Sequence, residues 1–350
     1  MAILVRGRPA TLDEAVREAA GLLGASRLPV IAGLGTDAAG AEAAARLAAA
    51  CGGVLDHAHG EALMRDLGAM REYGWIVTTA LLARARADLV LMVGPGLDGF
   101  ALPPAPTLDP GAERRVVRLA PPGNAPPGEG SGLLARLGVL RALAAGRPVA
   151  EGADPGGELA RLAETLRGAR YGVAAWSAGA MAEMEVEALC GLVSDLNAAT
   201  RWAGLPLAAP GNAMGVAQAL AWETGFPVRI GFVRGRAEHD PWRFDAARLI
   251  ASGEADAAVW VQALEPGPPP WGGKVPLVAL TAEGAGFAEA PAVAITVGRP
   301  GVDHDAVLYD GRVGALVSAR AAASGGAPTV AYVLDAMAAA LGASPGGAPC

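Results

Sequence analysis

Short unbroken apolar runs recur along this chain, and they are its strongest constraint on fold. Leu28–Gly33 (LPVIAG) passes through Gly35, Thr36 and Asp37 into an alanine-rich stretch from Ala38 to Ala50, while Asp88–Val93 (DLVLMV) closes on Gly94. Asp256–Val261 (DAAVWV) is a third such run. Unbroken runs of this kind suit parallel strands covered on both faces. Further strands are expected at Ile3–Val5, Gly53–Asp56, Arg115–Leu119, Tyr171–Trp176, Pro276–Leu280 and Ala292–Val297. Helices are expected from the Thr11 N-cap to Gly24, then over 78–87, 133–145, 157–168, 181–200, 214–222 and 329–341, with a hairpin at Asp310-Gly311.

This alternation implies an α/β fold of two doubly wound parallel-sheet units. Pro121–Gly132 is the most linker-like stretch and sets the boundary within 121–170. The expected organisation is a first α/β unit over 1–130, a second over 131–300, and a C-terminal hairpin and helix over 301–350 packed on the core.

Composition removes several functions. With 350 residues, 52% hydrophobic and 18% charged, the chain can bury a large core, and disorder is excluded as its dominant state. Its mean hydropathy of +0.33 is spread over segments broken by 49 Gly and 27 Pro, so no membrane span is expected. Arginines and a proline occupy the opening residues where a signal peptide needs apolar ones, so a cytoplasmic location is expected. A net charge of −7 with scattered arginines offers no track for a nucleic-acid backbone. Cys51, Cys190 and Cys350 lie too far apart for a CxxC pair, a zinc knuckle or an iron–sulfur run, and Lys274 is the single lysine.

Four constellations carry possible chemistry. Gly94-Pro-Gly96-Leu-Asp-Gly99 has dinucleotide-fingerprint spacing, but Phe-Ala-Leu-Pro-Pro follows it where a helix N-terminus should hold the pyrophosphate. Gly33-Leu-Gly35-Thr-Asp37 does open a helix, with spacing that fits a tight strand-to-helix turn better than a phosphate cradle. His57-Ala58-His59 could aim two imidazoles at one ion, or be a hydrogen-bonded loop pair, since only His239 and His304 remain to complete a metal site. Ser177 at a strand-to-helix turn resembles a nucleophile elbow without its first glycine; Asp195 and His239 could complete a triad, although an N-cap serine for the next helix explains it more simply. Trp176 and Trp260 end buried strands and read as core. Arg234, in Gly231–Gly235 beside Glu238-His239-Asp240, could bind an oxyanion or a partner carboxylate, or tie down its own loop.

Five segments together resemble a known family. Gly211-Asn212-Ala-Met-Gly215, Gln218–Trp222, Thr224–Pro227, Phe232–Gly235 and Gly253–Ala257 are similar to the B subunit of formylmethanofuran dehydrogenase. Gly40-Ala-Glu42, Cys51-Gly-Gly53, Asp56, His59-Gly60 and Ala87–Val90 follow the same order, as does Pro300–Asp310, so the resemblance covers most of residues 30–320. It implies a molybdopterin oxidoreductase fold whose active members hold a tungsten or molybdenum bis-pterin and an N-terminal [4Fe–4S] cluster, with a cysteine or selenocysteine on the metal.

The sequence departs from that pattern at the metal. The cysteine-rich N-terminal segment does not occur in it, and Ala58 occupies the position of the metal-ligating cysteine. A methyl group cannot coordinate a soft metal. The resemblance therefore implies remnant metal-site positions at Ala58, His59 and Arg234, and remnant cofactor-crevice positions at Gly33, Gly35, Gly94, Gly96, Gly211 and Asn212, with no cofactor and no catalytic residue. The expected role is a structural component like those of the formyltransferase/hydrolase complexes of methylotrophic bacteria. Its partners would be formylmethanofuran dehydrogenase-like A (amidohydrolase) and C subunits and a formyltransferase subunit, acting on formyl-tetrahydromethanopterin through a methanofuran-like carrier to give formate. A working metal–pterin subunit with a substitute ligand is the first alternative. A thiamine diphosphate enzyme is the second, on the Pro29–Gly33 turn and the alanine-rich helix after it, although the Gly-Asp-Gly and Asn-Asn that such a cofactor needs do not occur.

Overall fold

A computed structural model describes residues 2–102, 114–121, 132–323 and 325–342. The Pro121–Gly132 linker and the Leu102–Pro110 loop lie largely outside these residues, as does Cys350. The chain forms two compact units. The first draws on Met1–Gly60, Pro210–Tyr309 and Leu316–Cys350, and the second on Glu61–Ala209 and Asp310–Ala315.

In the first unit the apolar runs form the centre of a nine-stranded sheet. Five parallel strands lie in the order Val54–Leu55, Pro29–Gly35, Ala257–Gln262, Leu277–Thr281 and Val293–Thr296. Antiparallel pairs extend both sides: Ile230–Gly231 and Glu238–His239 beyond Val54–Leu55, and Ile3–Val5 and Arg8–Pro9 beyond Val293–Thr296. Every residue of Pro29–Gly35, Ala257–Gln262 and Leu277–Thr281 is buried, as strands covered on both faces must be. Alternate residues Val30, Ala32, Ala258 and Trp260 pack with Leu249 and Ile250 from the helix Ala246–Ala251. Helix Leu12–Ala25 begins with a reciprocal Thr11/Glu14 capping box. Ala38–Cys51 packs on Pro29–Gly35 and on Val330–Gly342, which also meets Leu12–Ala25.

The second unit holds a wholly parallel sheet in the order Arg115–Leu119, Leu89–Val93, Gly172–Trp176 and Trp202–Pro206. Helices Glu158–Arg167 and Glu183–Leu196 each pack on Leu133–Ala144 beside a core that includes Leu91, Leu137, Leu189 and Trp202. The strands Ala306–Asp310 and Ala315–Ala319 form the expected hairpin around Asp310–Gly314.

This α/β architecture differs from the sequence expectation in two ways. One sheet is mixed, and the units are not the halves 1–130 and 131–300. Strand pairing is the cause: Val30 and Ile31 pair with Val54 and Leu55 on one side and with Ala258 and Val259 on the other. Residues 61–209 are thereby excluded from the first sheet and build the second. Among the described residues no helix is long and apolar enough to cross a membrane.

Candidate functional site

Three loops leave the C-terminal ends of parallel strands in the first unit, at Thr36-Asp37, Asp56–His59 and Ala263–Glu265. Ligands of open α/β sheets bind at such ends. Backbone bonds knit the loops together: Ala58 N–H donates to the Gly33 carbonyl at 2.9 Å, and Ala263 N–H to the Gly35 carbonyl at 2.8 Å. Gly211 and Asn212, both left-handed with φ of 65° and 60°, bring the start of helix Ala213–Thr224 to the same place. The Asn212 amide does not cap that helix. Its Nδ2 donates to the Thr36 carbonyl and its Oδ1 accepts the Tyr309 N–H, each at 2.8 Å.

His57 is buried at the centre of this arrangement. Its Nδ1 accepts the His59 N–H at 2.9 Å, which leaves the proton on Nε2 to donate to the Gly211 carbonyl at 3.1 Å. Burial pushes its pKa down to about 4, so the ring is neutral with both nitrogens engaged. Both ring nitrogens of His57 are thus taken up by backbone groups and its imidazole is not free to ligate an ion. His59 is partly exposed, with Nε2 3.5 Å from a carboxylate oxygen of Glu265.

Beneath the loop, Asp56 accepts the His57 N–H at 2.8 Å and the Ala246 N–H at 3.0 Å. Burial pushes its carboxyl up to about 7, against the pull of the nearby Arg229 guanidinium. Arg229 is itself buried and reaches Asp245 at 2.6 Å. Sequence reading missed Arg229 because nothing local distinguishes it from Arg234, which carries the family resemblance.

Arg234 lies elsewhere. Ile230–Gly231 runs antiparallel to Val54–Leu55, and the Phe232 N–H reaches the Gly53 carbonyl, so the chain then leaves at the opposite end of the parallel strands from Ala58 and His59. Arg234 is exposed and shares Glu238 with Arg236 and Arg243.

The remaining candidates also separate. A Cβ on Gly33, whose φ is 85°, would stand 2.7 Å from the Val261 carbonyl oxygen and 2.9 Å from the Trp260 ring, and Gly35 is closed in by the Gln262 amide. Gly94 and Gly96, in the second unit, lie against Met181 and against Ala180 and Ser177. Ser177 precedes one turn of 3₁₀ helix without capping it, and Ala182 begins the long helix with Glu185 closing onto its N–H. Asp195, at the other end of that helix, is bound by Arg141 at 2.8 Å, and His239 Nδ1 meets the Val228 and Arg229 carbonyls. No triad forms. Trp260 donates to the Gly267 carbonyl and Trp176 to the buried Asp66 carboxylate, each at 2.8 Å. Both are core residues.

The family resemblance places a cysteine or selenocysteine ligand for a pterin-held metal at the end of Val54–Leu55. That loop presents the exposed Ala58 methyl. Burial pushes the Cys51 and Cys190 thiols up to about 11. Among the described residues no group of three or more His, Cys, Asp or Glu side chains is placed to hold a metal. The donor set does not fit the group.

No protein-family model matches the chain. The B subunit of the formyltransferase/hydrolase complex Fhc of Methylorubrum extorquens is 39% identical over 336 residues, covering 92% of this chain and 91% of that protein. A chain in the crystal structure of the M. extorquens formyltransferase/hydrolase complex FhcABCD with methylofuran superimposes with a TM-score of 0.86 at 39% identity, covering 97% of this chain and 98% of that one. The B subunit of a tungsten-containing formylmethanofuran dehydrogenase 2 of Methanocaldococcus jannaschii is 38% identical over 65 residues, covering 19% of this chain and 15% of that protein. The identity and coverage of the first two matches place the chain: it belongs to the family of formyltransferase/hydrolase complex B subunits, which is related to the formylmethanofuran dehydrogenase B subunits.

Proposed function

We propose that this chain is the B subunit of a cytoplasmic formyltransferase/hydrolase complex of one-carbon metabolism, and that within it the chain is structural and not catalytic. Its fold is that of a molybdopterin oxidoreductase relieved of its metal. Partner chains perform the chemistry: a formyltransferase moves the formyl group from formyl-tetrahydromethanopterin to a methanofuran-like carrier, and an amidohydrolase-like A subunit, assembled with a C subunit, releases formate.

The observation that carries this reading is the donor set after Val54–Leu55. Ala58 offers carbon where a thiolate would grip the ion, and both nitrogens of the neighbouring His57 are bound to backbone groups. Gly33, Gly35, Gly94 and Gly96 are packed by Trp260, Gln262, Met181 and Ala180, so they serve the chain's own packing. On this reading Ala58, His59, Gly211 and Asn212 are positions left from an ancestral site, and Arg234 no longer belongs to it.

Purification of the whole complex from its native host tests the proposal. Tungsten and molybdenum should be below about one tenth of an atom per copy, and a complex carrying His59→Ala or Glu265→Gln should turn over within about twofold of the wild type. Either near-stoichiometric metal, or a hundredfold loss of turnover with assembly intact, would reject a structural role.

A further inference from the structure

In the first unit, the connections on either side of strand Leu277–Thr281 depart from the usual pattern. Parallel neighbours are ordinarily joined through a crossover helix, yet residues 263–276 and 282–292 cross over without one. Trp271, Val275 and Phe287 from these loops pack against the cluster that holds Trp260 and Leu277, with the Trp271 and Trp260 rings edge to face at 5.2 Å. The two loops enclose a cavity of about 820 Å³, within the size range of small-molecule sites. Pro276 and Ala292, which lead into two of the parallel strands, line it. It therefore lies at the opposite end of those strands from the Ala58 loop and is separate from the ancestral crevice.

The walls match one class of molecule. Pro268, Pro269, Pro270, Leu277 and Phe287 give the cavity apolar surface. Three successive prolines have their φ fixed in advance, so little ordering is needed when a flat ring enters. Lys274 and Glu289 supply one charge of each sign. Neither is engaged: no ion pair or hydrogen bond joins either side chain to another described residue. The remaining charge in the wall, the Arg6 guanidinium, is held by Glu18 at 2.7 Å. Glu289 is placed by packing, its carboxylate lying against Gly273, where a side chain would have no room.

We propose that this cavity binds a small aromatic carboxylate that also carries a hydrogen-bond donor. The ring packs among the prolines and Phe287, the carboxylate meets the Lys274 ammonium, and the donor meets the Glu289 carboxylate. A neutral ring forgoes the charge-assisted bond to Lys274, and a ring without a donor desolvates Glu289 without replacing its water. This inference does not rest on the subunit assignment above.

Indole-3-acetate, which has the ring, the carboxylate and an N–H donor, is the probe. Calorimetric titration of the full chain should show one site. Indole-3-acetamide, which lacks the charge, and 1-methylindole-3-acetate, which lacks the donor, should each bind at least about fivefold more weakly. Lys274→Ala should weaken indole-3-acetate at least about tenfold, with Lys274→Arg restoring it to within about threefold. Glu289→Ala should erase the preference over the methylated analogue. Both residues are exposed, so these variants should melt within about 2 °C of the wild type. Because Lys274 is the single lysine, its acylation by an N-hydroxysuccinimide ester, followed by peptide mass, gives a readout that needs no variant. Saturating indole-3-acetate should slow that acylation at least about fivefold, in the free chain and in the assembled complex alike. No binding up to about 10 mM, equal affinity for the three indoles, or an unprotected Lys274 overturns the proposal. A Lys274 that reacts in the free chain and not in the complex makes this surface a subunit contact, which overturns it as well and leaves the subunit assignment standing.

Discussion

His57 illustrates how a spacing suited to metal chemistry becomes architecture at the scale of single residues. Its tautomer is fixed by a neighbour's amide, and that arrangement is invisible in a sequence, where His57 and His59 look equivalent. Asp66 gives the opposite lesson. It lies on a helix that periodicity did not reveal, its partner is Trp176, and burial pushes its carboxyl up to about 7. Between about pH 4 and 7 the native chain therefore keeps a proton that the unfolded chain gives up, so this group's contribution to stability falls as pH rises through that window. Asp66→Asn keeps an oxygen acceptor for the indole and cannot ionise. From pH 5 to pH 8 its stability relative to the wild type should rise by about 2 kcal/mol in denaturant unfolding. Parallel curves for the two proteins would refute this. His57, pushed down to about 4, acts in the other direction and loses stability as pH falls from about 6.5 toward 4.

Elements buried on both sides were the legible ones. Pro29–Gly35, Leu89–Val93 and Ala257–Gln262 are unbroken apolar runs because no face of them meets water. Two-residue strands such as Ile230–Gly231 and Glu238–His239 leave no periodic trace, and Trp202–Pro206 is interrupted by glycine and ends on proline. Gly33 tests how tightly the central strands are joined. Its left-handed backbone and its contact with the Val261 carbonyl should make Gly33→Ala cost about 3 kcal/mol or more. At Gly7, also left-handed with a φ of 76°, a Cβ meets nothing within 4 Å, so Gly7→Ala should cost only about 1 kcal/mol. Equal losses in equilibrium unfolding would contradict the crowding argument.

For the whole molecule, the interleaving of two units was beyond a linear reading, because sheet membership depends on partners some 200 residues apart in sequence, as Val30 and Ala258 are. Each unit has its own buried cluster, which predicts two calorimetric transitions. Arg229→Met strands the Asp56 and Asp245 carboxylates without their cation and should lower one transition by about 3–5 kcal/mol, while Asp66→Asn moves only the other. A single transition displaced by both variants would disprove separate cores. The hydrogen bonds at Gly211 and Asn212 bear on the history of such a chain. His57 fastens the point where residues 61–209 leave the first unit to the point where they return, and Asn212 fastens the return to Tyr309, the last residue before a second departure. The frame thus carries its own clasp, and an insert threaded through it could be lengthened, trimmed or exchanged over generations with the parent sheet kept in register.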